Sequence, residues 1–190
     1  MLRALTLLAA GWILLAAVAG LGHSLSVTVM LPATSAVLIT YLAYEREGAL
    51  PVGLALAVAL GYLEDLHQGT PRGALSLAYA LTYLVLAWTS LRLAPSGLLA
   101  RSLAAGLAIL AVDLLTYLTL TLLADPLGIA RGGLAEGLRV LHWHALATVL
   151  ATPPIWSMLT GIDGALRRIG GQTSPGPTLD RPPLIPWKRP

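Results

Sequence analysis

Long apolar runs separated by short polar interruptions fill most of the chain. Six runs stand out, at roughly Leu5–Leu21, Val27–Tyr44, Ala49–Leu63, Gly73–Leu91, Ser102–Ala124 and Val140–Leu159. A bilayer core about 30 Å thick is crossed by about 20 helical residues, with a usual range of ~17–25. All the runs but the third reach that length. The third either extends toward Leu66, sits in thinned bilayer, or re-enters the membrane without crossing it. No long stretch alternates apolar with polar residues, which a membrane barrel requires, and Leu and Ala carry most of the hydrophobicity. The pattern predicts an all-α polytopic bundle of six transmembrane helices.

The connections Gly22–Ser26, Glu45–Gly48, Glu64–Arg72, Arg92–Arg101 and Asp125–Arg139 are too short to fold on their own. Residues 1–160 therefore read as one membrane domain and residues 161–190 as a basic, proline-rich cytoplasmic tail. Gly161–Gly171, with Arg167 and Arg168, suits a short interfacial helix. Pro175–Pro190 holds six of the thirteen prolines and has no apolar face to bury, so it is expected to be disordered.

Composition turns the pattern into a statement about solvent. Of 190 residues, 56% are hydrophobic and only 11% charged, against about 25% charged in soluble chains. Mean hydropathy is +0.77. So few charges cannot coat a globule in water, and lipid is the expected surrounding for most of the chain. Cysteine is absent, which excludes disulfides and thiolate metal sites. The net charge of +3 lies outside the apolar runs, and suits anionic lipid headgroups rather than nucleic acid.

Orientation follows from the basic residues. With six spans, Arg3, Arg46, Arg92, Arg101, Arg167, Arg168, Arg181, Lys188 and Arg189 share one side, while Arg72, Arg131 and Arg139 share the other. Nine against three puts both termini in the cytoplasm. The start also resembles a secretory signal, with Ala17-Val18-Ala19 as a small-residue cleavage site, but its apolar run is longer than such a signal needs.

Several residues carry candidate chemistry. Ala49, Gly53, Ala57 and Gly61 repeat at i,i+4 along the third run, ending at Asp65, a stripe that allows helices to approach closely. Asp113 lies in the middle of the fifth run, where an ionisable group is costly and points to a role. Helical spacing brings Thr116 and Tyr117 near it as hydrogen-bond partners. A proton-transport role would require a chain of such groups, and the runs offer no second mid-helix carboxylate, so a buried and satisfied Asp113 is the plainer reading. His142-Trp143-His144 opens the sixth run. Histidines at i and i+2 point to different sides of a helix, so anchoring at the interface is expected rather than metal binding. Pro153-Pro154 is expected to interrupt that run. G-x-S-x-G, Walker and H-E-x-x-H motifs are absent, and no catalytic, cofactor or metal set is assigned.

One stretch goes further. It comprises Pro32, Tyr41-Leu42-Ala43-Tyr44, Glu45-Arg46-Glu47-Gly48, Gly53, Gly61-Tyr62-Leu63-Glu64-Asp65, Gly69-Thr70-Pro71-Arg72-Gly73, Ala74-Leu75, Tyr79-Ala80-Leu81 and Tyr83. Over Pro32–Tyr83 it resembles the rod shape-determining protein MreD family: a proline early in the second helix, a glycine-spaced third helix, an aromatic residue, an Asp, a Gly-x-Pro-x-Gly turn and a Tyr-containing helix. Ala33 stands where that family often has an acidic residue, and Tyr62 where it favours Phe. The resemblance implies a noncatalytic subunit of the bacterial cell-elongation machinery in the inner membrane. Its implied partners are an MreC-like periplasmic coil protein, an actin-like filament and a glycan synthase. It also implies a fold like the substrate-binding subunits of energy-coupling-factor vitamin transporters. Such a vitamin-binding subunit is the alternative function, with Trp143, His142, Arg72 and Glu64 as candidate pocket residues. Partner-binding candidates are the stripe Gly53, Ala57 and Gly61 and the turn formed by Asp65, Gly69, Pro71, Arg72 and Gly73. In physical terms, Asp65 can accept bonds from free backbone N–H groups and Pro71 can open the next helix at its first position.

Overall fold

The computed structural model describes residues 2–25, 31–45, 50–92, 97–123 and 131–169. These form six helices: α1 (Leu2–Leu25), α2 (Thr34–Tyr44), α3 (Leu50–Gln68), α4 (Ala74–Ser90), α5 (Leu98–Leu122) and α6 (Arg131–Ile169). No strand occurs among the described residues. Ala49, the Arg46–Gly48 segment of the resemblance and the Pro175–Pro190 tail lie outside them.

The closest pairings are α3 with α4 and α5 with α6, and α2 threads between them, touching all five other helices. This explains the composition of α2. Thr34, Ser35, Ala36, Val37, Leu38, Ile39, Thr40, Tyr41 and Ala43 are all buried, so small and polar side chains fit there because protein, not lipid, surrounds them. Helix α1 lies at the periphery. Leu7 is buried in the core, whereas Leu5, Trp12, Ile13 and Leu21 point outward.

Large apolar side chains cover the exterior of every helix but α2, Leu81, Val85 and Trp88 on α4 and Leu103, Leu107 and Leu114 on α5 among them, while Thr40, Glu64, Asp65, Thr148, Thr152 and Asp163 are buried. An apolar outside around a polar-containing inside suits lipid as solvent. Four helices are long and apolar enough to cross a membrane: α1, α3, α5 and the part of α6 from Val140 to Ile169.

The boundaries correct several expectations. The third run is not short, because α3 continues through Glu64 and Asp65 to Gln68, 19 residues in all. Among its described residues the second run yields 11 helical ones, about 17 Å of rise, and Leu31–Ala33 before them are not helical. Helix α6 continues through Pro153 and Pro154 and takes in the segment up to Ile169, so neither the break nor a separate interfacial helix is present. Hydroxyls near the proline pair bond to backbone carbonyls: Thr152 Oγ1 donates to Thr148 O at 2.7 Å, and Ser157 Oγ to Pro153 O at 2.9 Å.

Candidate functional site

Two neighbouring features hold the polar chemistry of one half of the molecule. The first is the junction of α3 and α4. Gly61 faces α4 so closely that a Cβ there would lie 2.6 Å from Ser76 Cα and 2.7 Å from Leu75 O. One turn-pair earlier, a Cβ on Gly53 would run into the Tyr83 hydroxyl. Gly53, Ala57 and Gly61 are all buried, so the stripe packs within the chain and is not an exposed partner surface.

Asp65, only 1% exposed, closes the same junction. Its carboxylate accepts from Thr70 Oγ1 at 2.6 Å, from the Gly73 N–H at 2.8 Å and from the Leu75 N–H at 3.0 Å. Longer contacts reach the N–H and hydroxyl of Ser76, both at 3.4 Å. A carboxylate across the first turn satisfies helix donors that would otherwise be orphaned and faces the positive end of the dipole. Gly73 is the N-cap, with φ of 97° in the left-handed region, a conformation glycine adopts without strain. Because the N-cap is Gly73, Pro71 does not open α4 at its first position as expected; that residue is Ala74. Gly69 and Arg72 are exposed, and Pro71 is half-buried.

The second feature is a cavity of about 180 Å³ between α1, α3, α5 and α6, closed also by Leu31–Ala33 before α2 and by Leu75 of α4. Glu64 from α3, Asp113 from α5 and His144 from α6 all line it. Asp113 Oδ2 lies 3.0 Å from His144 Nδ1, so the partner of Asp113 comes from another helix, not from Thr116 or Tyr117. Thr116 Oγ1 is buried without a hydrogen bond and Tyr117 is half-buried. Glu64 is 4% exposed. Its polar neighbours are Tyr79 and Ser35, whose hydroxyls are buried without a hydrogen bond of good geometry. One turn below His144, Thr148 Oγ1 accepts from the Ala33 N–H at 3.0 Å, supplying a partner to the backbone just before α2.

A third cluster closes the far end of the bundle, about 28 Å further along α6. Arg3 donates to Asp163 through Nε at 2.8 Å and Nη2 at 2.5 Å, a bidentate pair. The Tyr41 hydroxyl donates to the same carboxylate at 2.6 Å. Trp156 packs edge-on against Tyr41 with centroids 5.1 Å apart, and the Arg101 guanidinium sits 4.9 Å over its ring. This cluster ties α1, α2, α5 and α6 together.

Two of these assemblies are not legible in the apolar pattern. That pattern puts Glu64 in a loop, which hides its approach to Asp113, and it groups His144 with the exposed His142 and Trp143. The available signal is Asp113 deep in the fifth apolar run, with His144 near the start of the sixth. Arg3 and Asp163 give no signal, being 160 positions apart. His142, Trp143 and Arg72, the remaining candidates for a vitamin pocket, are exposed and do not line the cavity. Among the described residues no group of three His, Asp or Glu is placed to hold a metal ion.

No family model matches the chain, and neither does any curated protein or solved structure.

Proposed function

We propose that this chain is a noncatalytic, multi-pass subunit of the bacterial cell-elongation machinery, similar to the MreD family. The observation that carries the reading is the α3–α4 junction. Gly53, Gly61, Asp65, Gly73, Tyr79 and Tyr83, all part of the resemblance, meet there. They act as spacers, a cap and packing residues rather than as a reaction centre, as expected of a subunit whose work is binding. In this reading all six helices are membrane spans in the inner membrane, with both termini in the cytoplasm and Gly69–Gly73 facing the periplasm. The exposed part of the turn, Gly69 and Arg72, is the surface offered to an MreC-like coil, while the actin-like filament and glycan synthase belong to the same assembly.

Depletion in the native bacterium tests this. Rods should round up, and pull-downs from membranes should recover a coiled periplasmic protein and wall-synthesis enzymes. A phosphatase fused at Gly69 should be active and one fused after Gly170 inactive. Normal rods after full depletion, with no wall-synthesis partner recovered, would remove the proposal. The polar cavity favours a second reading, a small-molecule-binding subunit of a transporter. That reading expects unchanged shape and a growth defect rescued by one added nutrient.

A further inference from the structure

We infer that the cavity between α1, α3, α5 and α6 is a binding site for a small organic monocation with an apolar body, such as a protonated amine. The charge pattern comes first. Two carboxylates, Glu64 and Asp113, line the cavity, and neither Lys nor Arg does among the described residues. The other titratable groups there are His144, paired with Asp113, and His67, which is exposed and whose Nδ1 meets Leu63 O. Glu64 is only 4% exposed, and no Lys or Arg among the described residues pairs with it. Buried carboxylates are ordinarily paired with a cation or neutralised. Ser35 and Tyr79 place neutral hydroxyls beside Glu64, so its surroundings are polar but offer no Lys or Arg charge.

Shape and lining narrow the ligand further. A volume of about 180 Å³ exceeds the ~150 Å³ apolar cavity that accepts benzene, leaving room for one ring and a charged substituent. Leu15, Val18 and Ala19 of α1 form an apolar wall of the cavity that Glu64 also lines. An ammonium group could bond to Glu64 while its body covers that wall. A bare metal ion suits the site less well, because no three ligating side chains converge among the described residues. This assignment is independent of the elongation-subunit proposal, since it concerns a ligand and not a protein partner.

The full chain in lipid nanodiscs, titrated with benzylammonium, provides the test. Benzyl alcohol serves as the uncharged counterpart and benzoate as the anionic one. Benzylammonium should raise the unfolding midpoint by about 5 °C at a hundredfold excess over its Kd, with the other two inert. Glu64→Gln should bind it about thirtyfold more weakly, whereas Glu45→Gln, at the end of α2 and outside the cavity, should bind as the wild type does. Ala19→Leu narrows the cavity without touching a carboxylate and should abolish binding while the protein stays folded. It decides the matter if Glu64→Gln does not fold. Equal stabilisation by benzyl alcohol, no stabilisation by benzylammonium, or unchanged binding in Ala19→Leu would each overturn the assignment. None of these results bears on cell shape or partner capture, so the two proposals fail separately.

Discussion

Gly61 and Ser76 meet backbone to backbone: a methyl group on Gly61 would sit 2.6 Å from Ser76 Cα. Neither α3 nor α4 can yield there by rotating a side chain, because both surfaces are main chain. Gly61→Leu should therefore lower stability by about 3 kcal/mol or prevent folding, the upper end of overpacking costs. Gly20 has nothing within 4 Å of the place a methyl would take, and it should accept Leu at under about 1 kcal/mol. Unfolding midpoints of both variants in detergent compare the two sites directly. Equal effects would mean that the α3–α4 contact is looser than described.

Asp65 should matter through its shape as well as its charge. Asp65→Asn keeps one oxygen to accept from the first turn of α4, whereas Asp65→Ala leaves several buried donors unpaired. The alanine variant should cost about 2 kcal/mol, the high end for a lost cap, with the asparagine variant in between. Hydrogen exchange at Gly73 and Leu75 should accelerate most in the alanine variant. Uniform acceleration across all helices instead would show that Asp65 acts globally and not as a cap.

The bidentate pair of Arg3 and Asp163 joins residues 160 positions apart. Asp163 is 4% exposed at its side chain and Arg3 27%, so removing Arg3 leaves a buried carboxylate with the Tyr41 hydroxyl and the nearby charge of Arg167. Arg3→Ala should destabilise by about 2 kcal/mol and Asp163→Asn by less, because the amide oxygen still accepts from Tyr41. Arg3→Lys should rescue incompletely, since an ammonium cannot form two parallel bonds. Full rescue by lysine would show that charge alone matters at this site.

Asp113→Asn should retain folding and most of the protein's cellular function, because the amide offers His144 Nδ1 an acceptor oxygen or a donor N–H, whichever the imidazole tautomer needs. Asp113→Leu should cost about 2 kcal/mol by leaving that nitrogen without a partner. Protein level in membranes and rescue of rod shape are the measurements. Loss of function in Asp113→Asn at normal protein level would favour a proton-carrying role over the scaffold.

The amino-acid sequence by itself determined the membrane environment and the helical class. Both follow from summed properties of contiguous residues: enough apolar side chains in a row to outweigh the few charges. The glycine spacing before Asp65 and the glycines around Pro71 also revealed a close contact and a capped turn, because cap and helix are only a few positions apart and local geometry dictates their chemistry. The tertiary structure decided everything that joins distant runs. It buried α2 at the centre, as an 11-residue helix shorter than the apolar run that contains it. It carried α6 through two prolines, because packing against α2 and α5 holds the helix on both sides of them. It brought Glu64 into the cavity of Asp113 and His144, and Arg3 onto Asp163. Those pairings depend on which helix faces turn toward one another, and in lipid that choice is made by packing and hydrogen bonding across helices, not by the periodicity of any single run.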